Sequence, residues 1–537
     1  MLFIVVLGVA FLSYLAYKCF IYPALLSPLA AIPNAHFTSS FSNGWMIWQR
    51  YREQPNKAVH DAHTRLGPVV RLGLTEISVN SIEGLNVVYG GNFAKDKFYI
   101  RFANYNEPNM FSIVERQTHT KRRRMFGNIY SKSALQSSAV IRELSQTIFI
   151  ERLLPVIDSA ARDGTPLNML DYSSAVYSDF TTAFVFGFQS GSNFVQDKQL
   201  RDRWLATKRL MLTPFWTLGF PPSVSLFLIM LGINLENPQT NLAMEEMSDM
   251  YLNMLQTAET LSDSSRMSRE ENQDGKWTEP VVYRQLLNQL RSSGGKPLPY
   301  PLPESQLRLT IASELMDHLM AGTDTSAVTL AYLMQELSQR PGLQHSLREE
   351  LLSLYPPIFY PATAPDDDNS TPSEALPSPR AVDALLLLDA ILLETLRLHT
   401  PVAGSLPRVT PSSDPRSPIT ILGYSNIPPG ICVSAQAYSL HRNPEVFPDP
   451  ERWKPERWLE TDREKRGEMM GWFWPFGSGA DMCIGNHLAM LQLKFVVAAI
   501  YTNYTTKIID DMDMEHLGGY FSGPKGHKLI LQFERTE

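Results

Sequence analysis

The chain has 537 residues, 44% hydrophobic and 19% charged, enough apolar material for one large core or for two to three ordinary domains. Its net charge of -7 gives no global electrostatic reason to bind nucleic acid. The three cysteines, Cys19, Cys432 and Cys483, are too few and too scattered for a disulfide framework, which suits a reducing compartment.

Met1 to Leu26 reads "MLFIVVLGVAFLSYLAYKCFIYPALL", carries no charge before Lys18, and has the length of a bilayer-spanning helix. A secretory signal peptide is the alternative; the missing basic leader and the long apolar run stand against it. With Lys18, Arg50, Arg52 and Lys57 following, the positive-inside tendency predicts a single-pass anchor with the body in the cytosol. The expected organisation is an anchor over 1–26, a hinge over 27–50 stiffened by Pro28 and Pro33, and a body over 51–537.

Within the body, Gly67 to Asn80 reads as a hairpin of short strands. The spacing of apolar residues predicts helices over Arg201–Leu212, Glu245–Leu261, Leu307–Gln339 and Ala381–Leu398. The apolar run Phe215–Ile233 is interrupted by Pro221-Pro222, so it reads as a membrane-dipping or substrate-entry element, or as core helix, rather than a second span. Ser262–Pro280 is a polar loop, and Pro356–Arg380 is a proline-rich acidic insertion. Strands return in "PITILGYSNIPPGICVSAQAYSL" and "HKLILQFE". The fold class is mostly α with a minor β part and no internal repeat.

Chemistry concentrates in "WPFGSGADMCIG", Trp474 to Gly485. No second cysteine lies near Cys483, which disfavours zinc and iron-sulfur clusters. A phosphatase-type nucleophile needs an arginine six residues on, where Ala489 stands. A buried structural thiol does not require Gly477, Gly479 and Gly485 to shape the backbone for a close approach. The remaining use is an axial thiolate to haem iron.

Phe476, Gly479, Cys483 and Gly485 fit F-x-x-G-x-x-x-C-x-G, and the chain here resembles the cytochrome P450 family, whose haem-ligand loop has that form and precedes a long helix like "NHLAMLQLKFVVAAIYTNY". The resemblance extends over nearly everything after residue 50. It implies the family's single, mostly helical fold, with a long central helix over haem b and a small β region. It further implies a membrane-anchored monooxygenase of the endoplasmic reticulum, with its catalytic domain facing the cytosol. Electrons would come from NADPH through NADPH-cytochrome P450 reductase, and the substrate would be an apolar small molecule. The sequence style, including "SDFTTAFVFGFQSGSNF", is similar to filamentous-fungal enzymes of specialised metabolism.

Carried over residue by residue, the resemblance makes Cys483 the iron ligand and Asp324 with Thr325 the distal proton relay, in "HLMAGTDTSA". Ala321 and Gly322 would leave room for dioxygen. Glu394 and Arg397 of "ETLR" share a helix face and, with Arg457 of "PERW", match a buried network propping the cysteine loop. His119, Arg123 and Arg408 would meet the haem propionates, leaving Lys121, Arg122 and Arg124 for an acidic reductase surface. Substrate contacts would come from Phe111 to Val114, Asp317, His318, Ala321, Val402 to Leu406, Phe521 and Ser522, with Asp317 and His318 able either to grip a polar group or to pair with neighbouring helices or face solvent.

One position departs from the family pattern. Where members usually carry Arg or His two residues before the cysteine, this chain has Asp481. An acid beside a propionate adds like-charge repulsion unless it turns to solvent or protonates, so weaker haem retention or a lower haem potential is expected, partly offset by Arg123 and Arg408. A haem-thiolate isomerase or dehydratase, and a non-catalytic haem-binding protein, are the alternative functions.

Overall fold

In the computed structural model, residues 2–91, 93–211, 230, 238–264, 279–293, 296–297, 302–361, 376–412, 419–460 and 462–536 are described. The run Phe215–Ile233 lies outside the described residues apart from Met230, as does most of the two loops, over 265–278 and 362–375.

The axis of the molecule is a 35-residue helix, Glu304–Ser338, packed along an 18-residue helix, Met169–Phe186. The second helix buries every residue except Asp171 and Tyr172, so its apolar surface runs all round and carries no single amphipathic stripe. Gly322 lies in the contact between the two helices: a Cβ there would stand 3.2 Å from the Thr181 side chain. Gly322 therefore lets these two helices approach at this level.

The stretch expected as one helix over Ala381–Leu398 is two, Pro379–Asp383 and Leu386–Leu398. Leu385 is extended between them, and Glu350 of the neighbouring helix Pro341–Leu351 caps the new start, accepting from the N–H groups of Leu387 (2.8 Å) and Leu388 (2.9 Å). A carboxylate distant in sequence thus decides a boundary that local apolar spacing leaves open.

The larger sheet has five strands in the order Val69–Gly73, Glu76–Val79, Cys432–Ser434, Arg408–Val409 and Ala94–Lys95. The first two form the expected hairpin, Val69 facing Val79. At the far edge Lys95 pairs with Arg408 and Ala94 with Val409. A second sheet joins Tyr504–Asp510, Ile530–Arg535 and Leu167–Asn168.

The apolar N-terminal helix Leu2–Ala16 continues as a π-helix to Leu26, long and apolar enough over Phe3–Leu26 to cross a membrane. Residues 27–50 are built into the body: Leu29, Ile32, Ala35 and Met46 are buried. Arg71 ties this segment down, donating to the carbonyls of Pro23 (2.8 Å), Ser40 (3.1 Å), Gly73 (3.2 Å) and Leu74 (3.0 Å). A buried guanidinium with its fork filled by carbonyls holds its neighbours more firmly than a stiff linker would.

Candidate active site

Glu394 is fully buried on the helix Leu386–Leu398 and accepts from four directions. Arg397 donates to both carboxylate oxygens (2.9 and 2.8 Å), Arg457 to Oε1 (3.0 Å), Trp458 Nε1 to Oε2 (3.0 Å) and the Lys454 N–H to Oε1 (2.8 Å). Burial works to raise this carboxyl, but the Arg397 hydrogen bonds and the charges of both arginines hold it below the usual carboxylate range. The remaining guanidinium donors go to main-chain carbonyls: Arg397 to His441 (2.9 Å) and Pro450 (2.7 Å), Arg457 to Pro448 (2.9 Å), and both to Arg452.

His441 carries this order to the cysteine loop. Its Nδ1 lies 2.9 Å from the Arg397 carbonyl, and its Nε2 accepts the Trp474 N–H at 2.7 Å. The second bond requires an unprotonated Nε2, so the proton sits on Nδ1 and is donated to Arg397. Burial suits this neutral ring, pushing its pKa down to about 3.

From Trp474 the loop turns through Gly477 (φ 67°) and Gly479 (φ 73°), conformations that side chains rarely adopt. A Cβ on Gly479 would collide with the Tyr89 carbonyl. The loop closes with the Cys483 N–H donating to the Phe476 carbonyl at 2.9 Å, and Gly485 begins the helix Asn486–Asn503. Cys483 is accessible to solvent, yet burial raises its thiol pKa, opposed by the N–H groups of Gly485 and Asn486. Both observations hold for a thiol bordering an interior cavity.

Cations gather on one side of that thiol. Arg123, on the helix Arg116–Arg124, lies close enough to Cys483 and Asp481 to interact with their charges, and its guanidinium makes no hydrogen bond or ion pair among the described residues. Arg408 donates to the Tyr99 hydroxyl (3.1 Å), and its Nη2 lies 3.0 Å from Asp481 Oδ2. His119 Nδ1 is 3.3 Å from Asp481 Oδ1, and burial, followed by the Lys95 charge, lowers its pKa to about 4. Lys95, which sequence reasoning missed, donates to the carbonyls of Met110 (3.1 Å) and Phe111 (3.0 Å) and stands 3.9 Å from Asp481. Asp481 is therefore neither turned to solvent nor alone. An accessible thiol beside an unpartnered, half-buried guanidinium is a donor set that fits haem, sulfur for iron and cations for its carboxylates.

On the long helix, Asp317, Ala321 and Thr325 recur every fourth residue and stay partly or fully accessible within a buried element, as a face bordering a cavity does. The Thr325 hydroxyl donates to the Ala321 carbonyl at 2.8 Å. Asp324 forms an ion pair with Lys208 of the helix Lys198–Leu210. Asp317 is raised to about 8 by burial and then by Glu314, with Lys95 and the Phe111 N–H pulling it down.

His318 turns elsewhere. Its Nδ1 meets the Tyr130 hydroxyl at 2.7 Å and its ring packs on Phe126 at 4.7 Å, so of its two expected roles it takes pairing with neighbouring elements rather than contact with substrate. Arg122 is likewise removed from the surface set, because it pairs at 2.8 Å with Glu314, which is buried and also accepts the Met110 N–H. Lys121 and Arg124 remain exposed.

Two of the expected substrate segments do meet. The Ser522 N–H donates to the Pro401 carbonyl at 2.7 Å and the Gly404 N–H to that of Tyr520 at 3.4 Å, setting Val402 to Leu406 beside the late turn. Leu406 Cδ1 would lie 3.7 Å from a Cβ on Gly477, next to the cysteine loop. Phe521 packs against the main core, and its neighbour Tyr520 joins Phe98, Tyr99, Phe102 and Phe111 in an aromatic cluster with centroids 5.1 to 6.5 Å apart. Lys95, Glu314, Lys208, His441 and Tyr520 left no local signal, since each acquires its place through contacts distant in sequence.

Against known proteins, the family described as Cytochrome P450 matches residues 37–530. Cytochrome P450 monooxygenase tazI of Aspergillus terreus is 26% identical over 528 residues, covering 95% of each chain. Cytochrome P450 monooxygenase FGM1 of Gibberella zeae is 26% identical, with 97% of this chain and 94% of that one covered. Benzoate 4-monooxygenase bphA of Aspergillus niger is 23% identical, over 92% and 91% respectively.

Two outcomes are expected. Glu394→Gln removes the anion between two buried guanidinium groups and should cost about 3 to 5 kcal/mol of unfolding free energy, read from urea denaturation. Asp317 keeps its proton in the folded state up to about pH 8 but loses it near 3.8 when unfolded, so its contribution is whole below that range and is lost as pH rises toward 8. Asp317→Asn should therefore raise the melting temperature over the parent at pH 8, with the difference narrowing as pH falls and closing only toward the unfolded pKa of 3.8.

Proposed function

The chain belongs to the cytochrome P450 family, and on that premise we propose how its own residues divide the work. The protein is a haem-thiolate monooxygenase, using haem b and electrons delivered from NADPH by a reductase, with a small-molecule substrate. One oxygen atom of O2 enters the substrate and the other leaves as water. When bound, the haem supplies dioxygen activation at an iron whose thiolate ligand favours O–O cleavage.

Cys483 is the iron ligand, its sulfur steadied by the N–H groups of Gly485 and Asn486. Phe476, Gly479 and Gly485 give the loop the shape that brings this sulfur to the cavity. Arg123, Arg408, His119 and Lys95 would hold the cofactor's carboxylates. Across the cavity Thr325 donates to the Ala321 carbonyl, so its oxygen lone pairs are left to accept from water. Asp324, released from Lys208, passes a proton inward from solvent. Phe111, Asp317, Ala321, Val402, Leu406 and Phe521 border the substrate, with the aromatic cluster favouring an apolar and partly flat molecule.

The helix Leu2–Leu26 anchors the protein in the lipid of the endoplasmic reticulum, and the catalytic domain faces the cytosol. NADPH-cytochrome P450 reductase docks against the exposed Lys121 and Arg124, one helix away from the thiol. The fungal relatives support a step of specialised metabolism.

The accessible Cys483 thiol beside the unpartnered Arg123 carries this reading. Its test is the absorption spectrum of the full-length protein in membranes, reduced and carbon-monoxide-bound. The red-shifted Soret band of a thiolate-ligated haem is expected, and Cys483→Ser should abolish it; a band without that shift in the parent overturns the assignment. Asp324→Asn should keep the band while product formation with NADPH and reductase falls about 100-fold.

A further inference from the structure

Lys95 and Arg408 are direct cross-strand partners in the five-stranded sheet, and both are buried, at 8% and 4% exposure. Like charges so placed repel, and more strongly away from water. The group between them is Asp481, 3.0 Å from Arg408 and 3.9 Å from Lys95. Lys95 spends two of its three donors on the Met110 and Phe111 carbonyls. Its third donor, like the free guanidinium of Arg123, remains for an anion.

We infer that Asp481 is the counter-ion of the Lys95–Arg408 pair, and that Lys95 returns to the cofactor's carboxylates the positive charge that an acid at position 481 takes away. Three cations, Lys95, Arg123 and Arg408, then face three anions, Asp481 and the two propionates. The cavity edge is balanced with an acid in the cysteine loop only because the edge strand brings a lysine to meet it. Asp481 acts through its neighbours and is a positioning residue. Lys95, with a donor left over, would meet the cofactor's carboxylates directly.

This inference rests on the haem-thiolate reading, so it is tested on full-length protein that already gives the red-shifted band; its failure would leave that band in place. Haem dissociation is followed by transfer to excess apomyoglobin, and the haem midpoint potential by anaerobic titration. Lys95→Met should lose haem about tenfold faster and shift the potential down, because one cation is missing opposite three anions. Asp481→Asn, nearly isosteric, should shift the potential up. Lys95→Met/Asp481→Asn restores the balance and should return haem loss to within about threefold of the parent. A double variant as leaky as Lys95→Met, or no loss in Lys95→Met, overturns the inference. Should Lys95→Met not fold, Asp481→Asn still decides it, since an unmoved potential means that Asp481 does not act on the cofactor edge.

Discussion

Everything at the active site hangs from one buried carboxylate. Glu394 has no solvent exposure, and on its own its charge would be costly to bury. Two guanidinium groups, an indole and a main-chain N–H satisfy it. Because Arg397 and Arg457 spend their other donors on carbonyls between His441 and Arg452, the carboxylate also sets the path of a segment far from its own helix. His441 then passes that position to Trp474, where the cysteine loop begins. A buried ion network of this kind adds little net stability compared with apolar packing. Its value here is placement: a glycine-rich loop has many conformations, and this chain of bonds selects the one that presents Cys483 to the cavity.

The long helix uses its acids in three different ways, and surroundings decide each. Glu314 faces the loop 103–115 and is neutralised by Arg122 and the Met110 N–H, so it fixes the cavity wall. Asp317, one turn on, keeps no side-chain cation within ion-pair distance among the described residues, and burial favours its neutral form. Asp324 faces out to Lys208 and keeps contact with the solvent side. Carboxylates on one helix thus act as a structural clamp, a cavity group and a surface-linked acid. Residue type alone does not distinguish them; the partner on the facing element does.

That distinction explains what the sequence could show. The cysteine loop is legible because its glycines and thiol are contiguous, and the Glu394–Arg397 spacing because three residues bring both onto one helix face. The hairpin over Gly67–Asn80 and the long helix follow from local alternation and period. The helix Met169–Phe186 gave no such period, since it is surrounded by protein and apolar on every side. The break at Leu385 escaped because a glutamate 35 residues earlier caps the second helix, and the role of His318 stayed open between substrate and neighbouring helix because helical spacing places it next to Asp317 without saying which neighbour it faces. Lys95 sits in a two-residue strand whose only strong feature is its register against Arg408.

Register also answers what an acid at position 481 means. Judged by its own position, Asp481 subtracts a cation from the cofactor's edge and reads as damage. Judged by the sheet, it lies where two buried cations from neighbouring strands converge, and without it those cations would repel each other in a medium that screens poorly. The edge of a carboxylate-bearing ligand can thus be served in two ways: by a cation in the loop beside a neutral strand edge, or by an extra cation on the strand edge that offsets an anion in the loop. The second arrangement fixes more groups, because Arg408 and His119 are oriented by Asp481 before any ligand arrives. A substitution that looks unfavourable in a motif is intelligible only together with the residue that strand pairing sets across from it.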